Sequence, residues 1–177
     1  MTIKNSSIVF LSMLALVLIL AGCSQTGTVA ETDTAVAGLE QNASDIVAAY
    51  SAHDVDKILS FMADDVEMIE EDGSITTGKE KMRENLEGLF KSFPDLVMEP
   101  VAIFGKGNRV CTQWHATGTA SGANEGEEAM AGKKLSVPGA TIAEWEEGKV
   151  VRSTVYVDMA TIMNQLGLLP SPAPAEE

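Results

Sequence analysis

The sequence is poor in the residues that usually announce chemistry. Its 177 residues include only two cysteines, Cys23 and Cys111, and two histidines, His53 and His115. That scarcity excludes a zinc site built from a cysteine–histidine cluster, and no metal is expected. There is no Walker loop, no GxSxG elbow, no HExxH pair and no dinucleotide fingerprint, so no motif calls for a cofactor. No internal repeat is visible. Aromatic residues make up 5%, and 12 basic residues face 26 acidic ones for a net charge of −14. Such a chain repels phosphate backbones and has few rings to stack on bases, which excludes nucleic acid as a partner. What is present is enough apolar residue, 45%, to build one packed domain.

The only long apolar run lies at the start. Lys4 is the sole charge before Cys23, and Ile8 to Ala21 is almost continuously apolar. The run falls short of the roughly 20 residues a membrane-spanning helix needs, but it has the order of a signal peptide. It ends Leu20-Ala21-Gly22-Cys23, which resembles the lipobox of prokaryotic lipoproteins. The resemblance implies a signal peptide over 1–22, cleavage before Cys23, and a lipid on its thiol that holds the protein to a membrane outside the cytoplasm. A plain secretory signal or a membrane-anchoring helix is the alternative. The mature chain would then have 155 residues and carry −15, with 11 basic residues against 26 acidic ones. Residues 23–43 are rich in Thr, Ala, Gly, Gln and Glu and read as a flexible tether. Residues 171–177, SPAPAEE, read as a disordered tail.

Residues 44–170 read as a single α+β domain. Ile46, Ala49, Tyr50 and His53 share one face of a helix. Asp54 caps a second helix with Val55, Ile58, Leu59 and Met62 on its stripe. Val66 to Glu70 is a short strand before the turn at Asp72-Gly73. A third helix follows Gly78, carries Met82, Leu86, Leu89, Phe90 and Phe93, and stops at Pro94. Period-two segments follow: Leu96–Phe104, Arg109–Ala120, Lys134–Glu146 and Lys149–Asp158, the last two joined at Glu147-Gly148. Between them, Ser121 to Gly132 is an acidic loop whose Glu125, Glu127 and Glu128 read as solvated. A short terminal helix covers Thr161–Leu166. Helices followed by long antiparallel strands imply helices packed on one face of a curved sheet, with a cone-shaped cavity between the layers.

Five local matches, in order, carry a family resemblance. They are Ala52-His53-Asp54 with Ala63-Asp64-Asp65-Val66, Phe93-Pro94-Asp95-Leu96, Trp114-His115-Ala116-Thr117-Gly118-Thr119, Glu147-Gly148-Lys149-Val150, and Asp158 with Gln165-Leu166-Gly167-Leu168-Leu169-Pro170. Together they resemble the SnoaL-like branch of the NTF2-like superfamily, the polyketide-cyclase and ester-cyclase relatives. The resemblance implies an NTF2-like cone, N-terminal helices on a strongly curved antiparallel sheet, and a homodimer through the sheet face. It departs from the family at Ala120, where relatives often carry His, and at Met130-Ala131-Gly132 in place of Pro-Thr-Gly.

Simple alternation puts Val150, Arg152, Thr154, Tyr156 and Asp158 on one face of the last strand. By resemblance, Asp158 is a general acid/base for proton transfer alpha to a carbonyl, helped by the Tyr156 hydroxyl. Asp158 is also placed to cap the terminal helix. Trp114 shares a face with Val110, Thr112 and Ala116, as a core or cavity lining would. His115 points the other way with Cys111 and Gln113. Trp114, His115, Tyr50 and Thr141 are the candidate ligand contacts. Two functions follow: a lipid-anchored module that binds a small apolar or carbonyl-bearing ligand, or a cyclase or isomerase that uses Asp158.

Overall fold

The computed structural model describes residues 26–169. Cys23, the apolar leader and the tail lie outside them. Among the described residues no helix is long and apolar enough to cross a membrane. In chain order the elements are α1 (Thr26–Ser51), α2 (Val55–Ser60), β1 (Met62–Ile69), β2 (Ile75–Thr77), α3 (Lys79–Ser92), β3 (Val97–Lys106), β4 (Arg109–Thr119), β5 (Lys134–Glu146), β6 (Lys149–Val157) and α4 (Met159–Leu166). A single 3-10 turn, Glu128–Met130, sits in the loop before β5.

Local chemistry sets most boundaries. The Asp54 carboxylate accepts from the Lys57 N–H at 2.9 Å and starts α2. Glu147 and Gly148 both hold positive φ, at 48° and 75°, in the tight turn that joins β5 to β6. Gly167, at φ 73°, closes α4 in the left-handed conformation.

The six strands run β2-β1-β6-β5-β4-β3 in one sheet. The expected all-antiparallel sheet is in fact mixed, because β1 pairs with β6 in parallel. That contact brings the first strand back beside the last one. The three-residue strand β2 then forms the edge beyond β1.

The tether is also shorter than expected. α1 begins at Thr26, and its residues from Val36 onward pack on the sheet. Ala43 is buried with Ile58, Leu59 and Val66, while Leu39 packs against the same cluster. Glu40 accepts a hydrogen bond from the Gly105 N–H at 2.8 Å. The folded unit therefore starts before residue 44, on a helix whose apolar stripe continues upstream.

The core lies between the inner sheet face and α1 to α3. One cluster gathers Ile58, Val66, Met82, Leu86, Val110 and Trp145, and a second gathers Phe93, Leu96, Trp114, Val137 and Leu166. The outer sheet face carries exposed Val101, Phe104, Ile142 and Tyr156.

Candidate ligand-binding site

A cavity of about 540 Å³ opens between the two core clusters. Most of its wall is apolar: Met62, Met68, Met82, Met98, Leu135 and Val155 are among the lining side chains. Methionines suit such a wall because their unbranched thioethers adapt to irregular shapes. Tyr50, Trp114 and Thr141 line it as well. The Trp114 Nε1–H donates to the Thr141 hydroxyl at 3.0 Å, so one wall is held by a buried cross-strand bond.

His115, Tyr156 and Asp158 are not brought to this cavity. His115 lies half-buried on the outer sheet face, 3.2 Å from the Ser136 hydroxyl. Tyr156 is 55% exposed on that same face. For Tyr156 the reason is a bulge. Glu144 pairs with Arg152 but Trp145 pairs with Val150, which leaves Val151 as an extra residue in β6. Val150 points inward, and beyond the bulge Ser153, Val155 and Val157 take over the inward positions. Asp158 is exposed and caps α4, accepting from the Thr161 N–H at 3.1 Å and the Thr161 hydroxyl at 2.6 Å. Those bonds hold its carboxyl below the usual range, opposite to what a neutral-pH general acid needs.

The carboxylates that do line the cavity are Glu70, Glu71 and Glu127. Val66, Met68 and Glu70 follow one another at period two on and just past β1, so the alternation that buries Val66 also turns Glu70 inward. Desolvation raises its pKa; hydrogen bonding to Thr76 and Asn85 opposes the rise, and neighbouring Glu71 and Asp72 add to it. Burial, with a contribution from Glu70, pushes the Tyr50 hydroxyl up to about 12, so it stays protonated and can donate. Tyr50 is half-buried where it lines the cavity.

Glu70 therefore titrates higher in the folded chain than in the unfolded one. That contribution favours folding at low pH and is lost as pH rises through the folded-state value. Glu70→Gln should melt slightly higher than wild type at pH 7. The gap should close near pH 4, at about the unfolded pKa. Melting curves at both pH values check this, and a lower melting point for Glu70→Gln at pH 7 would contradict it.

The acidic loop forms the other rim of the mouth. Its Glu127 is not simply solvated. Ser92, buried at the end of α3, lies 2.8 and 3.0 Å from the two Glu127 carboxylate oxygens. Asn124 donates to the Ser92 hydroxyl at 2.6 Å and to the Gly88 carbonyl at 3.2 Å. Glu125 and Glu128 remain exposed. Sequence reading did not find Ser92, Asn124 or Glu127, because their contacts join segments about 35 residues apart.

A bent sheet packed against helices around a mostly apolar cavity defines the NTF2-like class of folds. A model of the SnoaL-like polyketide cyclase family matches residues 40–166. The chain belongs to that family. Among solved structures it is similar to AclR, a proposed hydroxylase from Streptomyces galilaeus, with 26% identity, TM-score 0.67, and coverage of 76% of this chain and 99% of that one. It is also similar to a proposed polyketide cyclase from Xanthomonas campestris pv. campestris, with 20% identity, TM-score 0.66, and coverage of 74% and 98%. IdmH, a proposed polyketide cyclase from Streptomyces antibioticus, shares 18% identity with TM-score 0.63 over 73% and 98%. The last two likenesses concern the fold alone. A comparison with curated proteins gives no match.

Proposed function

We propose that this protein is a lipid-anchored, extracytoplasmic module that binds a small, uncharged, mostly apolar ligand in its cone cavity. The observation that carries the reading is the cavity of about 540 Å³, whose lining among the described residues includes no Lys, Arg or His. Apolar walls with a few placed polar groups are the usual make-up of a small-molecule site. Carboxylates at the mouth, from Glu70, Glu71 and Glu127, disfavour an anion.

The anchoring rests on Leu20-Ala21-Gly22-Cys23. Since α1 begins only three residues after Cys23, the domain would stand close to the membrane on a helix. A homodimer through the outer face, where Val101, Phe104 and Ile142 are exposed, completes the reading, and light scattering at twice the chain mass tests it.

The neutral fluorescent probe N-phenyl-1-naphthylamine tests the cavity. Wild type should bind it saturably, one per chain. Ala143→Phe, which puts a ring into the space beside Ser153, should weaken it by about tenfold or more, ~1.4 kcal/mol, while the fold persists. Absence of saturable binding by wild type would sink the reading. Cys23→Ser should move the protein from the membrane to the soluble fraction.

A second reading is favoured by one observation. Glu70 is a half-buried carboxyl in the cavity wall with its pKa raised by desolvation. That environment suits proton transfer alpha to a carbonyl, with Glu70 in the role the resemblance gave to Asp158. It is tested by α-proton exchange of a bound ketone in deuterated buffer, which Glu70→Gln should abolish.

A further inference from the structure

Among the described lining residues only Glu71 and Asn85 are exposed, and they mark where the cavity reaches solvent. Gly88 lies one turn further along α3 and lines the cavity too. A glycine in mid-helix costs helix stability, and packing does not ask for it here. A methyl added at Gly88 would meet no neighbouring atom within 4 Å. The bare backbone leaves the mouth open on that side.

The loop 121–131 meets α3 at Gly88. Its base is fastened through backbone groups. The Ala120 N–H donates to the Lys133 carbonyl at 2.8 Å, and the Gly132 N–H donates to the Ala120 carbonyl at 2.7 Å. Ser121 donates its N–H to the Ser92 carbonyl at 2.8 Å and its hydroxyl to the Lys91 carbonyl at 2.6 Å. Met130, next to that base, packs against the second core cluster. The tip is held differently. Asn124 donates to Gly88 and to Ser92, and the Ser92 hydroxyl donates to Glu127. Among the described residues, every hydrogen bond from the tip to α3 passes through one of these three side chains. Water replaces such bonds when they break, whereas a buried apolar contact has no substitute. The tip is therefore the part of the rim that opens at least cost, with the base left in place.

We propose that the 124–127 tip is a latch over the mouth at Gly88, and that release of the Ser92 hydroxyl from Asn124 and Glu127 admits and frees the ligand. The proposal rests on the reading of the cavity as a ligand site and deepens it by assigning the control of exchange. Opening is the common step of entry and exit. Both rates follow the fraction of time the latch is open, and affinity stays nearly unchanged.

Stopped-flow fluorescence with N-phenyl-1-naphthylamine reads both rates on wild type, Ser92→Ala and Gly88→Leu. Glu125→Gln, on the exposed part of the loop, is the control and should match wild type. Ser92→Ala removes the hydroxyl that Asn124 and Glu127 share. Association and dissociation should each quicken by about fivefold, the order expected for the loss of a net hydrogen bond, with the dissociation constant within about twofold. Gly88→Leu puts a branched side chain into the mouth and should slow both rates by about tenfold or more. Leucine favours helix where glycine does not, and open space receives it, so this variant folds even where Ser92→Ala is weakened. Unchanged rates in Ser92→Ala would overturn the latch, and unchanged rates in Gly88→Leu would overturn the route past Gly88. A weaker affinity in Ser92→Ala carried by dissociation alone would also overturn the latch, since that is the mark of a ligand contact. Each of these outcomes leaves the cavity reading standing. Absence of saturable binding by wild type would overturn the latch and the cavity reading together.

Discussion

A chain that begins at Ala43 is expected to lose about 3–6 kcal/mol of stability relative to one that begins at Asp33. The shorter chain keeps the whole segment that composition marks as domain, but it loses Val36, Leu39 and Glu40. Leu39 is half-buried against the cluster of Ile58, Val66 and Trp145, and it supplies part, Val36 the rest, of the roughly 1.5–3 kcal/mol that one fully buried side chain of this kind contributes. Val36 packs closely over Gly105; a methyl added at that glycine would lie 2.9 Å from Val36 Cγ1. The Glu40 carboxylate accepts from the Gly105 N–H at 2.8 Å, and β3 is the outermost strand of its side of the sheet. Removing it strips a charge-assisted bond, of about 1.5–3 kcal/mol, from an edge. Domain stabilities run to about 5–15 kcal/mol, so the loss is a large share. Thermal melts of the two chains check it. Equal melting points would mean that the upstream half of α1 adds nothing to the fold.

The stripe that makes this prediction was written in the sequence. Val36, Leu39, Ala43, Val47 and Tyr50 step by three and four residues, the spacing of one helical face. It was hard to read because Ala43 is a weak apolar marker and small polar residues dilute the first half. From Asp54 onward the strong signals hold. Asp54, the Phe93-Pro94 stop, Glu147-Gly148 and Gly167 each mark a boundary through a local preference that needs no distant partner.

The cavity wall was legible wherever strict alternation held. Val110, Thr112, Trp114 and Ala116 all turn inward, as period two requires. On β6 the same rule failed, because an extra residue at Val151 reverses the phase. A bulge is set by how two strands pair, and nothing in Lys149-Val150-Val151-Arg152 marks it. The error moved Tyr156 into the cavity and hid Ser153. Asp158 had two roles open to it, and geometry gives it the cap: Thr161, three residues on, supplies the N–H that a capping carboxylate needs. Glu70 shows the converse, since alternation from Val66 reaches it directly. Its importance became visible only with the helices in place, because desolvation depends on what covers the strand.

Gly139→Ala is expected to destabilise the protein by about 2–4 kcal/mol and to damage the cavity at the same time. Gly139 pairs with Trp114 across β4 and β5, and the six-membered ring of the indole lies over it. A Cβ there would sit 2.2 Å from Trp114 Cη2 and 2.4 Å from Cζ2, well inside van der Waals contact. The backbone cannot retreat, because Gly139 is paired with Trp114 on one side and Val157 on the other. The ring must therefore tilt into the cavity and release the 3.0 Å bond to Thr141. Overpacking of this kind costs about 1–3 kcal/mol, and the broken bond adds about 1 kcal/mol. The melting point should fall by roughly 10 °C. Binding of N-phenyl-1-naphthylamine should weaken with it, because the displaced indole occupies ligand space. Ala140→Ser, one residue along on the outer face, should change neither. A double-mutant cycle isolates the cause: in a Trp114→Leu background the added methyl meets a smaller side chain, so the two losses should be clearly less than additive. Additive losses would place the cost of Gly139→Ala in the strand itself and remove Trp114 from the account.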